Sequence, residues 1–584
     1  MNLKKYLLFG GVALGLGMTS CVGDLDLEPN DPNLVDTSDP NFKANALGIC
    51  YSGIAVSGIS GPGSSYVGGL DPGTSAYLRT IFTLGEFPTD ELTWIWPNDE
   101  GGSIGDLIAC SWSSSNSIVY GAYYRLLGHI AICNQFLANT ADDTDAETIE
   151  MRAQARVLRA YSYYNMIDLY GQSSFITEEA EVGEQPRQAS RLEVFNFIEQ
   201  ELTEIVDQKL ISENPLYGRV GLDGAEALLA RLYLNAEVYS GTARWADCQT
   251  RCENIIRRHQ GGGFVASDGT ATGLAKEYLY LFCEDNKQYM PGGSNKAENE
   301  ILFGISFDQD MVQSYGGPTF IVAGTITNSH YCPRQNYGCS GEWSCIKGIK
   351  QMAERFYGLA DDKRDDLWLR GYMPAGSDAN GSWDAEDYTD EFLGFTGGWA
   401  TTGGNAIIKF TGNTITKNPA SVDKNDALTL FDGAYGADGK WLPNYDATAF
   451  MSTDQPIIRL ADIYLMYTEC YITGRVGDSQ KALNYINYVR ERAGNKENKM
   501  YNSIVEVSKK ELMDERSREL YLESVRRTDL IRNGMFVGPQ QTVWQVKGNI
   551  NNMEGTRIDD RFALYPIPNA VLNSQPDFKQ NPGY

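Results

Sequence analysis

The sequence predicts a mainly α protein, a scaffold of helix pairs resembling tetratricopeptide units with long irregular loops set into it. Three observations predict this. Several segments repeat apolar residues at helical spacing and stop at glycine. Small residues collect where such helices would cross, as stacked helix pairs require. Between the helices run long stretches rich in Gly, Asn, Ser, Thr and Tyr, which keep too many aromatic residues to read as disordered.

In chain order, helices are expected over about 41–55, 117–139 and 147–170. The last of these sets Ala153, Val157, Ala160, Tyr164 and Ile167 on one face and meets Gly171. The block 190–240 holds one helix over about 190–210 and a second over 222–239 that ends at Gly241. Ala225, Ala227, Ala230 and Ala236 are its small crossing residues. Residues 457–473 and 479–493 read as two helices parted by Gly474 and the turn to Asp478. Residues 507–533 read as one long charged helix ended by Gly534. In it Glu515, Arg516, Glu519, Glu523 and Arg526 stand at spacings that allow ion pairs along the helix. Each pair buries its face by stacking on the next. The loops fall at about 56–116 and 260–455 and carry Tyr66, Trp94, Trp96, Tyr315, Tyr331, Trp343 and Trp399. Loops of this length tend to be functional.

The N-terminus reads as a secretory leader, residues 1–20. Lys4 and Lys5 precede an apolar run from Tyr6 to about Met18, too short to span a bilayer. Met18-Thr19-Ser20-Cys21 reads as a lipobox, so that Cys21 would carry the lipid and residues 21–40 would tether the domain 41–584 to a membrane. A formal charge of −27 argues against nucleic acid, which needs a basic footprint, and suits a neutral ligand. The 11 cysteines form no CxxC pair, and they leave disulfides and buried thiols equally open. His129, His259 and His330 are the only histidines, and none has a partner at metal-binding spacing. No GxSxG, P-loop or dinucleotide fingerprint is present. Hard carboxylate oxygens would suit calcium, but no EF-hand spacing marks a site, and no cofactor is expected.

The C-terminal half carries a set of linked motifs. Pro456 to Leu465 reads PIIRLADIYL, followed by Ala482-Leu483, Ile486-Asn487, Val489-Arg490 and Arg492-Ala493-Gly494. Glu515-Arg516, Glu519-Leu520, Glu523, Arg526 and Asp529-Leu530-Ile531-Arg532 come next. The chain closes on Tyr565-Pro566-Ile567-Pro568 and Gln580 to Tyr584. Earlier, Arg156 to Tyr161 and Leu228 to Ala236 belong to the same set. Together with the lipobox, these motifs resemble the SusD/RagB family over nearly the whole chain. The resemblance implies a TPR-like helical fold and a lipoprotein of the outer membrane, exposed at the cell surface. It implies a non-enzymatic glycan binder that works with a SusC-like TonB-dependent transporter. The acidic stretch Asp24, Asp26, Glu28 and Asp31 resembles the export tag of such surface lipoproteins.

The loops resemble the starch-binding branch of that family. The matching residues are Asp71, Arg79-Thr80, Phe82, Pro88 to Glu91, Trp94-x-Trp96, Tyr315-Gly316-Gly317-x-Thr319 and Gly341-x-Trp343-Ser344-Cys345-Ile346. The resemblance implies an arc of Trp96, Tyr315 and Trp343 against a curved α-1,4-glucan such as a malto-oligosaccharide. Arg79 and Asp71 would make polar contacts. Asp99, with Asn98 beside it, stands where that branch has asparagine. Chemically the set is apt: flat rings cover the apolar face of a sugar, while Arg and carboxylates bond its hydroxyl rim. Two other readings stay open. One is capture of a different glycan, or of a peptide or glycoprotein. The other is hydrolysis by paired carboxylates, Asp90 with Glu91 or Asp99 with Glu100, which would need a set separation across one bond.

Overall fold

The computed structural model describes residues 41–181, 183–284, 286, 297, 300–325, 339–341, 343, 345–359, 361–365, 368–369, 371–373, 386–388, 406–407, 409–410 and 448–584. The expected leader, Cys21 and the tether 21–40 lie outside these residues, as do His330, Tyr331, Cys332 and Trp399. By compactness the chain divides into Met1–Ala46 and Leu47–Tyr584.

Helices dominate. Those used below are, in order, α1 (Phe42–Ala55), α2 (Tyr77–Glu86), α3 (Ser103–Ile108), α4 (Ser117–Asn139), α5 (Ala146–Tyr170), α6 (Arg191–Asp207), α7 (Leu222–Leu234), α8 (Ala236–Ser240), α9 (Trp245–His259), α10 (Gly317–Thr325), α11 (Leu460–Gly474), α12 (Ser479–Arg492), α13 (Lys509–Leu520) and α14 (Arg526–Arg532). The strands used below are β1 (Leu92–Trp94), β2 (Ile301–Ile305), β3 (Ile346–Gly348) and β4 (Gln455–Arg459). Helix α4 packs on α5, α5 on α6, α6 on α7, α7 on α9, α9 on α11 and α11 on α12. Each helix thus buries its face against the next, as stacked helix pairs do.

Local chemistry starts these helices where the sequence places them. Asn116 accepts from the backbone N–H groups of Ile118 and Val119, Asp145 from Thr148, and Asp478 from Lys481. Ser190 and Ser508 cap α6 and α13, each with a glutamate three residues on, as in a capping box. Gly241 ends α8 in the left-handed conformation that a residue with a Cβ avoids. The predicted face of α5 is buried, and Ala225, Ala227, Ala230 and Ala236 are wholly enclosed.

Four expectations change. The helix expected from 457 begins at Leu460, because Gln455–Arg459 pairs antiparallel with Ile301–Ile305. The helix 222–239 breaks at Asn235, whose side-chain amide bonds back to the Arg231 carbonyl. The loop 56–116 contains α2 and α3, and the loop 260–455 contains β2, α10 and β3. The long helix 507–533 is two helices, α13 and α14, parted by a turn in which Leu522 and Ser524 take positive φ of 63° and 65°.

That turn exists to satisfy buried charge. Lys409 donates to the carbonyls of Glu519 and Tyr521 and to Glu523 at 2.6 Å, and Ser524 N–H donates to Glu86 at 2.6 Å. A continued helix would have spent those carbonyls internally. Consequently the charged residues of this region do not pair mainly along one helix. Arg459, fully buried in β4, reaches Glu300 at 2.7 Å, Glu519 at 3.0 Å and Glu523 at 2.7 Å. Arg492 bridges Glu300 and Glu519, while Arg364 joins Asp362, Glu515 and Glu519. A second cluster links Arg231 and Arg516 through Asp462, then Arg516 and Arg532 through Asp529. Arg526 and Arg355 close on Asp90. Among these acids, desolvation is outweighed by neighbouring guanidinium groups, so Glu519 and Glu523 sit below the usual carboxylate range and Asp462 falls to about 2.

Glu86 and Glu91 behave oppositely. Both are buried, and Oε2 of each meets no hydrogen-bond donor among the described residues. Burial, with Glu91 beside it, pushes Glu86 well above the carboxylate range. That shift favours the protonated form of Glu86, whose carboxyl lies within hydrogen-bond reach of Glu91.

Two outcomes follow for stability. Arg459→Met takes one buried cationic partner from each of Glu300, Glu519 and Glu523, leaving them to Arg492, Arg364 and Lys409, and is expected to cost about 3–5 kcal/mol, measured as a lowered midpoint in urea unfolding. The proton on Glu86 stabilises the fold fully below about pH 4, the unfolded pKa, and that contribution is lost as pH rises through the raised folded value. Glu86→Gln, neutral at every pH, is expected to gain thermal stability relative to the parent between pH 5 and pH 8. A stability difference that does not vary with pH would refute the raised Glu86 pKa.

Candidate functional site

The site is assembled by a short antiparallel ladder. Leu92 pairs with Gly348, Thr93 with Lys347 and Trp94 with Ile346, and Ile95 N–H extends the ladder to the Cys345 carbonyl at 2.9 Å. Trp96 leaves β1 at the end where Trp343 enters β3, so two residues far apart in sequence emerge at one edge. Trp343 N–H is fixed to the Ala323 carbonyl at the end of α10 at 2.7 Å. Tyr315, just ahead of α10, is held by its N–H to Ser57 Oγ at 3.0 Å.

A row of ring contacts joins these residues. Trp96 meets Trp94 edge-on at 6.4 Å, and Trp94 stacks on Phe320 at 5.9 Å and 18°. Phe320 contacts Trp343 at 6.2 Å, and Trp343 contacts Tyr315 at 6.3 Å. Trp94 and Phe320 are buried and form the floor. Trp96 and Tyr315 are each 38% exposed, and Trp343 is half-buried. Aromatic side chains of this size are normally well covered, so open rings on a packed floor mark a contact surface.

Arg79 lies within this row. Its guanidinium is 4.4 Å from the Phe320 ring centre and 5.9 Å from those of Trp94 and Trp343, within cation–π range. Burial among the rings lowers its pKa, while Asp71, Glu100 and Asp99 work the other way. No carboxylate among the described residues closes to an ion pair with it, so its donors are available.

The polar candidates divide. Asp71 is exposed, and its Oδ1 accepts from the N–H groups of Gly73 at 2.8 Å and Thr74 at 3.2 Å, which makes it first of all a turn cap. Asp99 Oδ2 accepts the Trp94 indole N–H at 2.8 Å and so orients the floor beneath Trp96. Asn98 is exposed beside it, and Glu100 accepts from Thr74 Oγ1 at 2.6 Å. Asp90 is locked between Arg355 and Arg526, and Glu91 accepts from Ser517 Oγ at 2.5 Å. An internal cavity, lined by Tyr161, Asp168, Arg231, Arg516 and Asp529 among others, lies in the charged interior; Phe320 of the floor also lines it, whereas Trp96, Tyr315, Trp343 and Arg79 do not. Among the described residues, no group of three or more His, Cys, Asp or Glu side chains could hold a metal ion. The nine described cysteines are all buried and unbridged, and Cys248, Cys252 and Cys470 meet where α9 packs on α11.

Similarity to known proteins agrees with this architecture. The family model of the SusD family matches residues 439–584. Over 98% of its length the chain is 32% identical to the starch-binding protein SusD of Bacteroides thetaiotaomicron, covering 97% of that protein. The chain belongs to the SusD family. A SusD-like protein, P25, of Formosa agariphila is 23% identical over 76% of this chain and 74% of its own. Among solved structures, a SusD superfamily protein from Parabacteroides distasonis superposes with a TM-score of 0.63 at 19% identity, over 93% of this chain and 99% of that one. Surface glycan-binding protein A from Bacteroides fluxus gives 0.61 at 16% identity, over 93% and 99%. These structural likenesses establish the mainly α, TPR-like SusD fold.

Sequence reasoning missed two supports of the site. Phe320 carries the floor, yet it reads as an ordinary core residue in an apolar helix. Gly73 permits the convergence itself: a Cβ there would lie 2.8 Å from Arg79 Nη1, 2.9 Å from Tyr315 Cβ and 3.1 Å from Asp71 Oδ1. The Asp-Pro-Gly turn was its only signal. Gly73→Val is therefore expected to displace Arg79 and Tyr315 together. Binding to the open ring surface should weaken at least as much as in Tyr315→Ala, with the melting temperature lowered by no more than a few degrees.

Proposed function

We propose that this SusD-family protein is a cell-surface lipoprotein that captures starch-like α-1,4-glucan and passes it to a TonB-dependent outer-membrane transporter. The observation that carries the reading is the open row of Trp96, Trp343 and Tyr315 with the cation of Arg79 set among the rings. Such a row covers the apolar faces of successive sugars, and Arg79 donates to hydroxyls at their rim. A pre-shaped row of rings suits a chain that is already curved, since neither partner reorganises much. Likeness to a starch-binding protein along 98% of the chain favours α-1,4-glucan over other glycans.

Catalysis is not part of the proposal. Asp90 and Glu91 are buried in ion pairs and hydrogen bonds, and Asp99 and Glu100 are engaged by Trp94 and Thr74. Glycoside hydrolysis needs two carboxyl groups free to face one bond. Surface placement rests on the leader and the lipobox at Cys21, and no described helix is long and apolar enough to cross a membrane. A shallow site gives modest affinity for one segment, and many anchored copies acting on one polymer raise it by avidity.

The test is affinity electrophoresis of residues 22–584 in gels containing amylopectin, dextran, levan or a soluble β-glucan. Retardation by amylopectin alone is expected, and its loss in Trp96→Ala/Trp343→Ala. Retardation only by another polymer would replace the ligand. No retardation by any polymer would favour a peptide or glycoprotein ligand on the same scaffold.

A further inference from the structure

The row of rings does not end at Tyr315. Phe450 packs against Tyr315, at 5.1 Å between ring centres and an interplanar angle of 53°. It is half-buried, as Trp343 is. Its backbone is tied to the two segments that carry the other rings. Ser340 N–H donates to the Thr448 carbonyl at 2.8 Å, and Cys339 bridges Thr448 in parallel, which fixes this segment to the one bearing Trp343. Met451 N–H donates to Thr319 Oγ1 in α10 at 3.1 Å, and Thr448 Oγ1 donates to the Phe450 carbonyl at 2.5 Å. Gln309 N–H donates to Ser452 Oγ at 3.0 Å from the segment that leads to Tyr315. Phe450 is thus held in place before any ligand arrives, which lowers the entropic cost of using its ring.

We infer that Phe450 is a fourth ring of the binding surface, forming a further subsite beyond Tyr315 for an additional sugar of a longer α-glucan. The inference rests on the proposed glucan-binding role of the row. A phenyl ring offers an apolar face with no hydrogen-bonding group, so this subsite favours the C–H face of a sugar and imposes no demand on its hydroxyls. Phe450 therefore selects for chain length rather than for sugar identity. The subsites at Trp96, Trp343 and Tyr315 take a short oligomer whether or not Phe450 is present.

Calorimetric titration of maltotriose, maltopentaose and maltoheptaose into the parent, Phe450→Ala and Phe450→Leu tests this. In the parent, affinity rises with oligomer length. In both variants maltotriose binds within twofold of the parent, while maltoheptaose loses about three- to tenfold, the range expected for one ring contact. Phe450→Leu retains more of the packing volume against Tyr315 than alanine does, so it separates loss of a ring from loss of support should the alanine variant unfold. Equal losses at all three lengths would overturn the inference, because Phe450 would then be a prop behind Tyr315. Unchanged affinity at every length would also overturn it. A parent protein that binds none of the three, and no amylopectin, would instead remove the proposed function on which the inference rests.

Discussion

The buried pairing of Arg459 with Glu300, Glu519 and Glu523 is the constraint around which the C-terminal half is arranged. Taking charges from water is costly, and the cost is met only when each has partners in good geometry. Arg459 belongs to β4, Glu300 directly precedes β2, and Glu519 and Glu523 lie at the end of α13 and in the turn beyond it. One guanidinium thus fixes the pairing of a strand ladder, the end of a helix and the angle at which α14 departs. Arg492 and Arg364 tie α12 and the Asp362 turn to the same carboxylates. An apolar core could supply comparable stability, but this network also specifies which elements meet, since each displacement takes partners from buried charges.

The row of rings depends on that interior, whose cavity Phe320 of its floor also lines. Helix α2, which carries Arg79, ends at Glu86, and Glu86 accepts from the backbone of Ser524 in the turn between α13 and α14. Asp90 and Glu91 then anchor the approach to β1 on Arg526, Arg355 and Ser517. From there the ladder with β3 delivers Trp96 and Trp343 to one edge. The acids that looked like candidate catalysts are instead the posts holding β1 at its depth. A rigid base of this kind suits flat rings, whose contribution depends on their being in place before the ligand.

Division of labour among the polar residues follows from geometry more than from residue type. Asp71 and Asp99 have equivalent side chains, but one closes a turn and the other orients an indole. Asp99 therefore holds the Trp94 indole and also sets negative charge near Arg79. Arg79 is left as the cation among the rings whose donors are uncommitted, which gives an otherwise apolar row one polar point of reference.

The sequence by itself determined the helical scaffold, its caps and the identity of the exposed rings. Those features are local: Asn116, Asp145, Ser190 and Ser508 satisfy N–H groups within one turn of themselves, and small residues at positions such as Ala227 and Ala230 fit any close helix crossing. The family motifs around Trp96, Tyr315 and Trp343 named the rings, but not their spacing or their floor. What only the tertiary structure decided is long-range. Helical spacing from Glu515 to Arg526 reads as one continuous salt-bridged helix, because nothing within that segment reveals that Lys409, Arg459 and Glu86 will draw its carbonyls, carboxylates and N–H groups outward and break it. Phe450, Phe320 and Gly73 likewise gain their meaning from neighbours distant in the chain, since ring stacking and close backbone approach are properties of space rather than of sequence order.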